Sequence, residues 1–222
     1  MGDELMNTLK KAFILNLCIF VLEVFAITWI MTAAGNGVLS GGKLRALRYF
    51  TVDSNIIMGL VALWAAVEQG MVLRGKRREV SAASYILKLT GTVGVTLTMF
   101  VTIFFLGPTI GRRSGFFSLF AESNFFLHLV NPVLSIVTFL CFEKTNKIAF
   151  KHTFTAIIPL VIYAVYYVRE VLTHMTDGVI QKGYDWYGFF AFGFKTANII
   201  LPLLLLVTWL ISFVLWKLNR RK

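Results

Sequence analysis

The chain has 222 residues, of which 57% are hydrophobic and only 15% are charged, and it contains 21 phenylalanines. Its mean hydropathy of +0.74 excludes an ordinary soluble domain. The net charge of +11 is expected to reflect membrane topology and contact with anionic lipid headgroups, not nucleic-acid binding.

Six apolar segments have about the 20-residue length with which a helix crosses a bilayer. They predict an all-α integral membrane protein, a bundle of six transmembrane helices in one domain over residues 1–222. No linker or soluble domain interrupts the pattern. The predicted spans cover residues 12–31, 49–67, 82–106, 116–142, 154–168 and 196–216.

The basic residues predict how this bundle is oriented. Thirteen lysines and arginines lie before the first span, in the two loops on that same side and at the C-terminus, whereas eight lie in the alternate loops. Because basic residues are enriched in cytoplasmic loops, both termini are expected in the cytoplasm.

The first and third apolar spans each carry one charged residue. Glu23 is midway along the first span, and Lys88 shares one face of the third span with Thr92 and Thr96. Opposite charges are least costly in a bundle when they pair, so a buried Glu23–Lys88 pair is predicted. The two cysteines lie in apolar stretches and are expected to act as small hydrophobes, so the sequence predicts no disulfide, metal site or cofactor.

Three helix entrances on the outer side resemble one another. They cover residues 50–57, 120–126 and 194–200, and each has an asparagine that is followed by apolar residues. One interpretation is a set of three related two-helix hairpins. The other is that Ser and Asn recur at helix entrances because they cap well.

Polar side chains at the second entrance to the bilayer fall on two faces. Thr51, Ser54 and Asn55 are spaced as i, i+3 and i+4 and share one face, whereas Asp53 points the opposite way. A hydroxyl in a membrane helix often bonds only its own i−4 carbonyl. A shared polar face at membrane depth nevertheless indicates a functional position inside the bundle.

The fourth span carries a second polar face, with Asn124, His128 and Asn131. A threonine hydroxyl becomes a nucleophile when a neighbouring base takes its proton, and neutral histidine is the usual base. Thr51 and His128 are therefore a candidate catalytic pair. The two asparagines, with Ser54 and Asn55, could orient the imidazole or donate to an oxyanion.

The predicted depths of these two residues do not match. If the spans begin at Tyr49 and residue 116, Thr51 and His128 differ in depth by roughly 13–15 Å at 1.5 Å per residue. A second helix that begins near Lys43 reduces this difference to about 6–8 Å. Direct contact therefore depends on where the helices begin.

The motifs around these residues resemble a known family. RYFTVDSN at residues 48–55, followed by FFLHLVNP at residues 125–132, resembles the androgen-induced and androgen-dependent-TFPI-regulating membrane proteins, most closely their prokaryotic six-span relatives. The shared pattern is Tyr-Phe-Thr-x-x-Ser-Asn with a later His-x-x-x-Pro. DWYGFF at residues 185–190 is similar to the family's aromatic run, with Gly188 where the prokaryotic relatives tend to have proline.

This resemblance implies an intramembrane threonine hydrolase in the plasma membrane of a prokaryote. Its substrates would be lipid esters, such as fatty acid esters of hydroxy fatty acids. By motif position, Thr51 would be the nucleophile and His128 the base. No third catalytic residue carries over, and Glu122 and Glu23 are the acidic residues that could orient His128.

Two other functions stay open. A lipid acyltransferase would use the same residues with an alcohol in place of water. A small transporter or channel would instead line a polar path with Lys88, Glu23, His128 and the asparagines. The expected partners are membrane lipids and a lipid ester substrate, without nucleic acid, and the sequence leaves the oligomeric state open.

Overall fold

The computed structural model describes residues 3–32, 43–181, 183–190 and 193–220. It confirms the all-α prediction, because six helices in this part of the chain are long and apolar enough to cross a membrane. The protein is therefore a multi-pass membrane protein. The helices are α1 (Asp3–Thr32), α2 (Phe50–Leu73), α3 (Ala82–Thr109), α4 (Ser123–Phe142), α5 (His152–Thr173) and α6 (Phe194–Asn219).

Six crossings place both ends of the chain on one side of the membrane, which we call the inner side. Helices α1, α3 and α5 run from the inner to the outer side, and α2, α4 and α6 return. The assignment of the inner side to the cytoplasm remains a prediction from the basic residues.

The largest difference from the predicted boundaries is at the fourth span, which begins at Ser123 and not at residue 116. The apolar run Phe116–Phe120 forms a separate 3-10 turn. Gly115 has a φ of 90° and Glu122 a φ of 57°, and these positive values interrupt the helix on both sides of the turn. Hydropathy misses the break because the turn is as apolar as the helix.

Helices α3 and α4 are not regular throughout. Wider π-helical segments cover Thr102–Leu106 in α3 and both Phe126–Val130 and Thr138–Phe142 in α4. A π turn holds one residue more than an α turn and is frequent at functional sites, because it changes the direction of the side chains around it. Each of the first two segments contains a residue of the site described below.

Two glycines of α3 allow it to approach α2 closely. A Cβ atom on Gly91 would lie 2.9 Å from the Met58 sulfur, and a Cβ on Gly94 would lie 3.1 Å from the Ser54 Cβ. Small residues at such positions are typical of helix contacts in membranes. This contact holds the middle of α3 against the first three turns of α2.

The outer end of the bundle is covered by the connection between α5 and α6. It contains a two-stranded antiparallel hairpin, β1 (Met175–Thr176) and β2 (Val179–Ile180), and then an aromatic segment. The Tyr187 hydroxyl accepts a hydrogen bond of 2.9 Å from the Phe50 backbone N–H. Burial raises the pKa of Tyr187 well above its ordinary value, so this neutral phenol caps the start of α2.

Tyr163 of α5 connects the same cover to the segment before α2. Its hydroxyl donates to the Arg48 carbonyl and accepts a hydrogen bond of 3.0 Å from the Trp186 indole N–H. The Arg48 guanidinium lies 5.8 Å from the centre of the Trp186 ring, a cation–π distance. The aromatic segment therefore fixes where α2 begins.

The three similar entrances each lie at the start of a helix, namely α2, α4 and α6. Their asparagines have different environments, however. Asn55 and Asn124 are buried in the bundle, whereas Asn198 is exposed. The similarity of the third entrance therefore does not extend to a buried polar face.

Candidate active site

A cavity of about 340 Å³ lies in the outer half of the bundle, between α2, α3, α5 and α6. This volume falls in the range of small-molecule sites, and most of the wall is apolar, as in a pocket for a lipid chain. Thr51, Thr98 and Thr102 are the threonines on this wall. Tyr163, Tyr167 and Tyr187 extend the wall toward the outer cover.

His128 is buried in α4, at 4% exposure, and its nearest hydroxyl partner is on α3. Its Nδ1 atom lies 2.8 Å from the Oγ1 atom of Thr102. The imidazole also lies against the backbone carbonyl of Thr98, one turn before Thr102. His128 and Thr102 both belong to π segments, so the irregular turns of two helices bring this pair together.

Thr102 is the residue of the site that the sequence analysis missed. Like the hydroxyl of any threonine in a membrane helix, its hydroxyl could instead donate to the backbone carbonyl four residues earlier. The available signal was the pair Thr98 and Thr102, spaced as i and i+4 in an apolar run. A second hydroxyl on the face of Thr98 indicates a polar stripe that meets another helix.

Thr51 lies in the first turn of α2, half-buried on the cavity wall. Its carbonyl accepts a hydrogen bond of 3.0 Å from the Ser54 hydroxyl and one of 2.7 Å from the Asn55 side-chain amide. Within the described ranges, no hydrogen bond joins the Thr51 hydroxyl to His128. Ser54 and Asn55 thus act on the backbone of the predicted nucleophile.

Asn55 connects the predicted nucleophile to the helix of the predicted base. Its amide nitrogen also donates, at 3.3 Å, to the carbonyl of Leu127, the residue before His128. A single nitrogen therefore bridges the Thr51 and Leu127 carbonyls, which lie within two hydrogen-bond lengths of each other. Asn55 holds the first turn of α2 next to the turn that carries the imidazole.

The difference in depth between Thr51 and His128 is much smaller in the structure than the roughly 13–15 Å expected for a fourth span that begins at residue 116. Because α4 begins at Ser123, His128 lies only in its second turn. Thr51 lies in the first turn of α2, so the two residues differ in depth by about 6 Å at 1.5 Å per residue.

Of the two other asparagines, Asn124 is buried in the first turn of α4. Asn131 is buried beside the carboxyl of Glu23, but their polar atoms form no direct hydrogen bond of good geometry. The side chain of Glu23 approaches α2 closely, since a Cβ on Gly59 would lie 3.1 Å from the Glu23 Cβ. Among the described contacts, neither Glu23 nor the exposed Glu122 orients His128, and Thr102 occupies that role.

The predicted Glu23–Lys88 pair is wrong. Lys88 lies 3.7 Å from the Glu143 carboxylate and donates a hydrogen bond to the Asn16 side chain. Glu143 directly follows α4, where hydropathy assigns it to a loop, but the chain turns back and leaves it only 3% exposed. Glu143, on the inner side, is therefore the acidic partner of Lys88, where the sequence predicted Glu23.

The same inner network is extended by two amides. The Asn16 amide donates to the Glu143 carboxylate at 2.7 Å and to the Gln69 oxygen at 3.1 Å. The Gln69 amide donates to the same carboxylate oxygen at 2.8 Å. We call Asn16, Gln69, Lys88 and Glu143 the inner network, and it joins α1, α2, α3 and the end of α4.

The comparisons with known proteins give no match. A scan against protein-family models finds none, and neither a search of curated proteins nor a search of solved structures finds one. In the described part of the chain, no group of three or more His, Cys, Asp or Glu side chains could hold a metal ion.

Proposed function

We propose that the protein is an intramembrane hydrolase of lipid esters that uses a threonine hydroxyl as nucleophile and His128 as general base. The observation that supports this proposal is the 2.8 Å contact between His128 and Thr102, because Thr102 lines a lipid-sized, apolar cavity. The resemblance of the motifs around Thr51 and His128 to a family of threonine hydrolases supports the same chemistry.

Thr51 is the proposed nucleophile, and Thr102 holds the base. Thr102 contacts Nδ1 of His128, and in the proposed mechanism Nε2 takes the proton of the attacking hydroxyl. This is the arrangement of a serine hydrolase triad, in which a third group fixes the tautomer of the histidine. The third group would be a neutral hydroxyl in place of a carboxylate, consistent with a site inside the membrane.

The reaction has two steps. The Thr51 oxygen attacks the ester carbonyl as His128 takes its proton, and the protonated imidazole then donates that proton to the leaving alcohol. Water, activated by the same imidazole, next attacks the acyl-threonine ester and releases a fatty acid. The apolar walls of the cavity would hold the acyl chain during both steps.

A second assignment has its own support. Thr102 is the hydroxyl that the structure places in contact with the imidazole, and it also lies on the cavity wall. Thr102 would then be the nucleophile, and Thr51 would only line the acyl site. The two assignments predict opposite outcomes for two single substitutions.

Labelling with a fluorophosphonate probe tests both assignments. The wild-type protein should form a covalent phosphonyl ester, and Thr51→Ala should abolish it. Thr102→Ala should slow labelling but not prevent it, with rescue by Thr102→Ser. Thr96→Ala is the matched control, because the Thr96 hydroxyl bonds its own helix at the Thr92 carbonyl.

Each result decides between the candidates. Labelling that survives Thr51→Ala but is lost in Thr102→Ala, with Thr102 as the modified residue by mass spectrometry, assigns Thr102 as the nucleophile. Labelling that is unchanged in both variants contradicts the proposed site. Hydrolysis is separated from acyl transfer by product analysis with a labelled ester and added alcohols.

A further inference from the structure

A shallow groove lies on the lipid-facing side of the bundle, between α5 and α6. Its wall is apolar along most of its length, with Val165 and Val168 among its residues, and Arg169 lies near its outer end. Ala164 of α5 and Leu205 of α6 line both this groove and the interior cavity. The groove and the cavity therefore share a wall at these two side chains.

The helices that form this wall separate toward the outer side. The inner end of α5, His152–Thr155, packs closely on α6, whereas the longer stretch Ile158–Thr173 approaches α6 at few positions. The side chains of Ala164 and Leu205 therefore form part of the wall between the groove and the cavity. A leucine side chain has more than one staggered rotamer, so Leu205 could widen a passage at this wall without movement of a helix.

Arg169 gives the groove a charged end. Its side chain is exposed, and no acidic side chain in the described ranges forms an ion pair with it. The neighbouring Glu170 lies 3.9 Å from the His174 ring instead. A guanidinium at the end of an apolar groove matches a lipid that has an acyl chain and a phosphate, because arginine binds phosphate with two parallel hydrogen bonds.

We propose that this groove binds an anionic phospholipid of the outer leaflet, with the phosphate on Arg169 and an acyl chain along α5 and α6. The wall at Ala164 and Leu205 is the lateral portal through which an ester-bearing chain passes from the bilayer into the cavity. The portal rests on the proposed hydrolase function, whereas the phospholipid site does not.

The phospholipid site is tested without any measurement of activity. Proteoliposomes are prepared with a photoactivatable phosphatidylglycerol or with the matching phosphatidylcholine, and labelled peptides are identified by mass spectrometry. The phosphatidylglycerol should label residues 161–173, and Arg169→Gln should reduce this labelling about tenfold. Lys195→Gln, which removes an exposed cation at the start of α6, is the matched control and should leave the labelling unchanged.

Three outcomes contradict the phospholipid site. The first is equal labelling of residues 161–173 by the anionic and the zwitterionic lipid. The second is an equal effect of Arg169→Gln and Lys195→Gln, which would indicate a general attraction of anionic lipids to the outer surface. The third is labelling by a photoactivatable fatty acid that exceeds the phosphatidylglycerol signal, which would assign the site to a carboxylate instead.

The portal is tested by narrowing it from either helix. Ala164→Trp and, separately, Leu205→Trp should lower the ratio of bilayer-ester hydrolysis to soluble short-ester hydrolysis roughly tenfold. Leu206→Trp, at a neighbouring lipid-facing position, should preserve the ratio. Two independent variants keep the test valid if one of them misfolds.

The outcomes for the portal and for the hydrolase are distinct. An unchanged ratio in a folded Ala164→Trp or Leu205→Trp protein contradicts the portal and leaves the hydrolase standing. No hydrolysis of either ester by the wild-type protein contradicts the hydrolase and with it the portal. The photolabelling result decides the phospholipid site in both cases.

Discussion

The outer and inner halves of the bundle both bury polar side chains, but they do so in different ways. In the inner network, Lys88, Glu143 and two amides bond one another between four helices. In the outer half, His128 and Thr102 form a pair, which we call the outer pair, and Thr102 lines a cavity that Thr51 also lines. Polar groups that satisfy one another stabilise a fold, whereas hydroxyls on a cavity wall remain able to meet a ligand.

The first way to test this comparison is to remove the imidazole of the outer pair, which is the proposed base. His128→Asn is expected to lower ester hydrolysis about 100- to 10,000-fold, the usual contribution of a general base. The initial rate of hydrolysis in proteoliposomes measures the effect. His152→Asn, at the inner end of α5 and away from the cavity, is the control, and equal rates for the two variants would contradict the role of His128.

The corresponding change in the inner network should affect stability instead. Lys88→Met leaves the buried Glu143 carboxylate without its cation, so the free energy of unfolding should fall by about 3–5 kcal/mol. Denaturant titration in mixed micelles measures this loss. The double variant Lys88→Met/Glu143→Gln should recover much of it, and a double variant as unstable as the single one would contradict the pairing.

Asn55 lies next to the outer site and connects two helices, so its loss should affect both properties. Asn55→Ala removes hydrogen bonds to two carbonyls and should lower the free energy of unfolding by about 1–3 kcal/mol. Hydrolysis should fall about tenfold, because the turn with Thr51 is no longer held beside His128. Asn198→Ala, at the exposed asparagine of α6, should have neither effect, and similar behaviour of the two variants would refute the bridging role.

The smallest effect is expected at the outer cover. Tyr187→Phe removes the hydroxyl that accepts from the Phe50 N–H, at a cost of about 1 kcal/mol in the free energy of unfolding. Thermal unfolding in detergent compares this variant with Tyr166→Phe, whose ring is partly exposed. A larger loss in Tyr166→Phe would contradict the capping role of Tyr187.

The number and identity of the membrane helices could be predicted from the sequence, because hydropathy reports burial in lipid directly. Lys88, His128 and Asn55 were recognised as buried polar residues for the same reason. The partners of these residues could not be predicted. Glu143 lies beyond an apolar run and returns to the bundle through the backbone of a loop, which hydropathy does not describe.

Thr102 shows a second limit on what could be predicted from the sequence. A regular helix fixes which residues share a face, but the π segments of α3 and α4 shift that assignment where Thr102 and His128 lie. The resemblance of the motifs pointed to Thr51 and His128, and so to one member of the pair but not to Thr102. A threonine in an apolar run becomes distinctive only when the neighbouring helix is known.

The π turn at Phe126–Val130 also limits which changes of chain length α4 can accept. A π turn holds one residue more than an α turn, so deleting one residue in this segment would restore a regular α turn and leave the residues beyond it facing nearly as before. His128 would lose its position opposite Thr102, whereas Glu143 would keep its place in the inner network. A single-residue deletion at this point should therefore break the outer pair and spare the inner network, whereas a deletion in the regular segment Asn131–Val137 would rotate everything beyond it by about 100° and break the inner network.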